Sequence, residues 1–336
     1  MSDVIDSRYL PFDEQTLRRH LAKPEKRFAL DTPEESNGVT ETDSGGLDHY
    51  LKSADAYHWC FQQKNPPRSK NRADTHPRQI EKDERFWTAA CLMSLHIKGT
   101  ASNWIDLMGR AFERCPFGER WEDFVGEPAQ ATLRFEAPLP SPDIYQRRVK
   151  SDYRAQAKGE NVRTFLPEVM ERAGTQRTRF EGFTHADAVM IFPKFSIVFE
   201  AKVTADASHD IYFDTMRNQI VRIIDVMLAK PPGFENPNSK NPLSKRDPKR
   251  SIFVLVTPRI FKKNPHSRLY GWLMNDYMKT GESLRKDLNH RTPQDLVDVS
   301  QRIGWLTWED CTEILPGACG WLDEKSPGPV QTVCSD

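Results

Sequence analysis

At 336 residues the chain is long enough for about two domains, and 38 % hydrophobic with 29 % charged residues suits a folded protein with polar loops. The 48 Lys+Arg match the 48 Asp+Glu, so overall charge gives no argument for a nucleic-acid partner, which would have to meet a local basic patch. Six cysteines without a CxxC pair argue against a zinc ribbon or a disulfide framework and point to reduced thiols. The start "MSDVIDSRYLPFDEQ" lacks the basic and apolar regions of a signal peptide, and no apolar run approaches the roughly 18 residues of a membrane span. A cytoplasmic protein with no membrane partner is expected.

Along the chain, "FDEQTLRRHLAK" reads as a short helix, residues 31–46 as a polar linker, 47–63 as a helix, and 64–79 as a basic loop with three prolines. Residues 83–114 carry apolar residues at helical spacing, with Gly99 as the break between two helices. "ATLRFEAPLPSPD" is a short strand ending in a proline-rich turn. Residues 160–174 form a helix stopped by Gly174. "FTHADAVMIF" and "FSIVFEAKV" are strands, 211–230 an amphipathic helix, "RSIFVLVTPRIF" a buried strand, and 292–315 closing helices capped by Thr292 and Thr307. The boundary falls at 149/150: a mainly helical N-terminal region (1–149) for recognition, dimerisation or regulation, then an α/β domain (150–336).

Within "HADAVMIFPKFSIVFEAKV" (185–203), a tight turn at Phe192-Pro193-Lys194-Phe195 fixes the hairpin so that paired positions sum to 387. Asp187 then lies opposite Glu200 and His185 opposite Lys202, all on the face with Val189, Ile191, Ser196 and Val198. The other face, Ala186 to Ala201 by twos, is wholly apolar. Two carboxylates directly across a strand pair repel. A divalent cation with a taste for hard oxygen compensates them, and Lys202 beside it would draw a phosphate. The chemistry so implied is metal-assisted phosphodiester hydrolysis.

The pattern Asp-x12-Glu-x-Lys on a hairpin, with a helix before and a helix and strand after, resembles the PD-(D/E)xK nuclease superfamily over residues 160–260, about a third of the chain. The Pro of the name is replaced by Ala186. The resemblance implies a restriction-endonuclease-like core with a mixed central sheet flanked by helices. It implies Mg²⁺ (or Mn²⁺) held by Asp187, Glu200 and the Ala201 carbonyl, and Lys202 orienting the attacking water. It further implies an acid on the preceding helix (Glu171, or else Glu168), Gln219 on the following helix, DNA as substrate and a 5′-phosphate product. A restriction or phage-defence effector is the implied setting, and two cuts in a duplex make a homodimer the expected state.

The basic run at 240–268 has nine Lys/Arg against one Asp and is either a phosphate-tracking surface or a solvated loop. The second basic loop (Lys64, Arg68, Lys70, Arg72, Arg78) reads as solvated. His185 and His209 are weak candidates for the site, Arg217 and Arg222 candidates for phosphate, and the Trp- and Phe-rich stretches core. No Gly-rich phosphate loop, GxSxG or HExxH occurs. The competing expectations are a non-catalytic nucleic-acid-binding or scaffold protein on a nuclease-like fold, and an RNA-directed nuclease, since nothing in the sequence separates DNA from RNA.

Overall fold

The structure, a computed structural model, describes residues 83–118, 120–160, 181–208, 214, 217–236, 238–239, 241–279 and 281–322. The expected helices at 12–23 and 47–63, the helix at 160–174 beyond its first residue, the linker at 31–46 and the basic loop at 64–79 lie outside these residues.

Helix α1 (Glu84–Ile97) opens on Asp83, whose side chain accepts the Arg85 N–H at 3.0 Å. The break falls at Gly99, as expected. A Cβ there would sit 2.2 Å from the Leu95 carbonyl oxygen. Thr100 and Asn103 then form a capping box that starts α2 (Ala101–Ala111). After the short α3 (Trp121–Phe124) comes β1 (Thr132–Pro140), in which buried and half-buried residues alternate, Leu133 and Phe135 in one core cluster and Ala137 and Leu139 in the other.

Helix α4 (Asp143–Ala157) is an element the sequence reading lacks; with only Tyr145, Val149 and Asp152 buried, it has no apolar stripe to announce it. The boundary at 149/150 runs through this helix. The described part of the N-terminal region is not a separate helical unit, since β1 belongs to the sheet and α1 and α2 pack on it. Strands β2 (Phe183–Ile191) and β3 (Ser196–Ala201) form the hairpin. Helix α5 (Gln219–Met227) is shorter than the expected 211–230: Asn218 is extended and accepts the Val221 N–H at 2.9 Å, which fixes the helix start. Strand β4 (Ser251–Thr257) follows, then α6 (Arg259–Lys263), α7 (Leu269–Lys279) and α8 (Glu282–Asp287).

Residues 303–307, expected inside a helix, form strand β5 (Ile303–Thr307). Its five buried residues pair in parallel with β4, and the Phe112 ring lies where a Gly304 Cβ would be, 2.5 Å from the nearest ring atom. Helix α9 (Trp308–Ile314) starts at Thr307 in a capping box with Asp310, as expected. Thr292 makes the same reciprocal bonds with Asp295, but a 3₁₀ turn rather than an α-helix follows.

The result is an α/β fold with a five-stranded mixed sheet in the order β1-β2-β3-β4-β5. The first three strands are antiparallel and the last three parallel, so β3 is central and its end faces the loops after β4. Helices cover both faces. On one, α1, α2 and α9 bury Trp104 edge-on to Phe192 at 5.5 Å. On the other, α5 and α7 cover Val198, Phe253 and Leu255. Cys91, Cys115, Cys311 and Cys319 are buried free thiols. Among the described residues no helix is long and apolar enough to cross a membrane.

Candidate functional site

The hairpin takes the expected register near its turn. Ala188 pairs with Phe199 and Ile191 with Ser196, both sums of 387, and the Phe192 N–H reaches the Phe195 carbonyl at 2.8 Å. The ladder ends one step before Asp187. Instead of a backbone pair with Glu200, the Asp187 carboxylate accepts the Ala201 N–H through Oδ2 at 2.7 Å. His185 lies opposite Pro138 of β1, not Lys202, and is exposed. Lys202 has crossed to β4, its N–H bonding the Val256 carbonyl at 2.9 Å.

The face assignment needs one correction. In β1, Glu136 takes a left-handed conformation (φ 47°) between the pairs Phe135–Ala188 and Ala137–Ala186. Phe135 and Ala188 face the first core cluster, Ala137 and Ala186 the second. Both strands therefore change face at Glu136 and Asp187, which a strict two-residue period cannot anticipate.

Several charged groups converge on this point. The Lys202 ammonium donates to Glu200 Oε1 at 2.7 Å and to Glu84 Oε2 at 3.4 Å. Glu84, the first residue of α1, also accepts the Val203 N–H at 3.3 Å. Gln219, at the start of α5, donates its Nε2 to Glu200 Oε1 at 2.5 Å and accepts the Ser208 N–H at 3.2 Å. Arg85 pairs with Glu136 at 3.0 Å. Trp308 Nε1 holds the Lys202 carbonyl at 3.0 Å, so the lysine is fixed at backbone and head. Thus Asp187, Glu200, Lys202 and Gln219 are brought together. Glu84 and Glu136 join them without having been read from the sequence; Glu84 looked like an ordinary acidic first-turn residue.

Four carboxylates (Glu84, Glu136, Asp187, Glu200) face two cations (Lys202, Arg85), an excess of two negative charges when all are ionised. Glu200 Oε2 is buried without a hydrogen-bond partner. Such an atom is costly unless something pairs with it. The titrations reflect the crowding. Burial, with Glu84 and Glu136 nearby, pushes Asp187 up to about 6 against the pull of Lys202 and the Ala201 N–H. Burial and then the Asp187 charge push Glu200 well above the usual carboxylate range. Burial alone would lower Lys202, but the carboxylates of Glu200, Glu84 and Asp187 outweigh it and raise it.

By donor chemistry the residues fit a divalent cation: hard oxygens, one of them orphaned, with a twofold charge excess. Among the described residues no set of three or more His, Cys, Asp or Glu is already grouped for a metal. The Lys202 head, between Glu200 and Glu84, offsets part of that charge. Ala201 enters through its N–H on Asp187; its side chain is buried on the apolar face.

Other candidates separate cleanly. Glu171, Glu168 and His209 lie outside the described residues. Arg217 does not face phosphate. It is buried, pairing with Glu181 at 2.9 Å and Asp225 at 2.8 Å and lying 3.7 Å over the Tyr145 ring. Arg222 pairs with Glu181 at 3.3 Å. The basic run at 240–268 is not one surface, because β4 divides it between opposite ends of the sheet. Within it Arg246 is buried on the last carbonyls of α5, Arg250 stacks on Phe124 at 5.0 Å, and Arg259 pairs with Asp310 and Glu313. Phe86, Trp87 and Met93 are core, as expected. Comparison with protein-family models, with curated proteins and with solved structures gives no match.

Proposed function

We propose that the chain is a Mg²⁺- or Mn²⁺-dependent endonuclease that hydrolyses phosphodiester bonds in DNA, on a restriction-endonuclease-like core. The observation that carries this reading is the buried, partnerless Glu200 Oε2 beside Asp187 and Lys202, in a cluster whose four carboxylates outnumber its two cations. A helix and a parallel strand follow the hairpin, as the resemblance to PD-(D/E)xK nucleases requires, with Gln219 on that helix touching Glu200.

Asp187 and Glu200 would hold the cation, and Glu84, beside Lys202, would supply a further acid. The cation would supply Lewis-acid polarisation of the phosphate and charge neutralisation. Lys202, within reach of Glu200 and Glu84, would orient water and steady the phosphate with its ammonium. Gln219 holds Glu200 in one rotamer. The Asp187–Ala201 bond keeps the open end of the hairpin from fraying.

One observation favours the competing reading, a non-catalytic nucleic-acid-binding or scaffold protein. Lys202 already bridges Glu200 and Glu84, as it would in a purely structural ion cluster. Plasmid and linear DNA incubated with Mg²⁺, Mn²⁺ or EDTA separate the two. The nuclease cuts with metal only, and Asp187→Ala and Lys202→Ala both abolish the cutting. Cutting that survives both substitutions would place the chemistry elsewhere, and metal-free inertness that persists with either ion would favour the scaffold.

A further inference from the structure

Helix α4 presents Arg147, Lys150, Arg154 and Lys158 to solvent. Their spacing of three, four and four residues keeps them within roughly 80° of arc and spreads them over about 16 Å of axis. They line one concavity of about 490 Å³ together with Ser151 and Glu160, so its walls carry four positive charges and one negative. Among the described residues none of the four cations is paired with an acidic side chain. Arg148, on the flank, is neutralised by Asp152 at 3.0 Å. A second charged concavity, near Phe117 and Phe234, offers less, since Lys230 is paired with Glu235 and Arg291 with Asp225.

The helix is also anchored beside the candidate site. It begins three residues after β1, at the sheet end where Pro140 pairs with Phe183 and from which Asp187 is four residues along β2. Tyr145 donates to Asp214 at 2.9 Å, and Gln146 to the Glu181 carbonyl at 2.7 Å. Its buried face is thus tied to the network behind α5, while its outer face stays basic.

The geometry points to the outer face of α4 as the track for the phosphate backbone of the duplex DNA that the site would cut. This rests on the nuclease reading. B-DNA carries one phosphate per about 1.7 Å of its axis, both strands counted, so a stripe of long Arg and Lys side chains about 16 Å in length lies against enough phosphate for one contact per cation. Contacts of this kind hold the duplex in register without reading its sequence.

The test is the salt dependence of binding to a short labelled DNA duplex, measured by fluorescence anisotropy in EDTA, for the full chain and for R147Q/K150Q/R154Q/K158Q. These exposed substitutions leave the buried side of α4 intact, which circular dichroism checks. Neutralising four phosphates contributes about 3.6 to the log–log salt slope, so the wild type should lose about 150-fold more affinity between 50 and 200 mM salt than the variant. The pair R154Q/K158Q should remove about half of the slope change. An unchanged slope, with wild-type cutting of plasmid in Mg²⁺ intact, overturns the stripe and leaves the nuclease reading standing. A slope change seen on duplex RNA and not on DNA overturns the DNA assignment. A wild type that neither binds nor cuts DNA overturns both.

Discussion

Two clusters of buried charge lie a few residues apart, and they are built in opposite ways. Behind α5, Asp225 receives Arg217, Arg291 and His290 together, while Glu181 receives Arg217 and Arg222. Burial alone would raise Asp225, but the His290 hydrogen bond and the two guanidinium charges outweigh it and hold that carboxyl well below its usual range. At the open end of the hairpin the same burial wins: Asp187 and Glu200 are both raised, and one Glu200 oxygen has no partner. The first cluster is a satisfied clamp between β2, α4 and α5. The second is left short of positive charge, which is what a site awaiting a cation needs and what a structural ion cluster avoids.

Breaking the satisfied cluster should have the largest effect. Asp225→Ala strands His290 and Arg291 in the interior, leaves Arg217 with Glu181 alone, and should lower stability by about 3–5 kcal/mol, read as a shift in the urea midpoint. A loss below about 1 kcal/mol would mean that the clamp is ornamental.

The deficient cluster should respond with the opposite sign. Asp187 keeps its proton in the folded state up to about pH 6, whereas an ordinary Asp releases it near 3.8. Its contribution to stability is therefore complete below pH 3.8 and lost as pH rises through 6. Asp187→Asn should stabilise the metal-free chain at pH 7.5 by up to about 3 kcal/mol, with the gain vanishing near pH 4, while cutting is abolished. Equal or lower stability of the variant at pH 7.5 would remove the argument from charge crowding. By the same titration, Mg²⁺ must displace the Asp187 proton below pH 6 as well as that of the raised Glu200, and its affinity should fall by at least about tenfold per pH unit there.

Glu84→Gln is the smallest of the three. It keeps the shape and the bond to the Val203 N–H but removes a charge, and cutting should fall by about 10–100-fold with little change in stability. Unaltered cutting would place Glu84 outside the site.

The central triad was legible because everything that sets it is local. A four-residue turn with Pro193 fixes the register, and apolar neighbours mark the strands, so Asp187, Glu200 and Lys202 fall at one end by counting. Gln219 followed from the resemblance and its place on the next helix, though that helix starts at Gln219 and not at 211. Glu84 was not legible, since it reaches Lys202 across 118 residues and nothing near it in sequence sets it apart. Nor was the change of face at Asp187, which depends on the left-handed Glu136 in a strand 51 residues earlier. Strand β5 was hidden by its brevity: five residues, three of them large and apolar with a glycine among them, next to a true helix start, give no period to read. Helix α4 was hidden by its polarity, the property that makes its outer face of interest.

The most direct test of the charge-deficient site is calorimetric titration of Mn²⁺ into the chelator-treated full chain at pH 7.5, alongside Asp187→Asn. One cation bound per chain in the wild type and none in the variant is the predicted result. No binding in the wild type, or the same binding in both proteins, would contradict it.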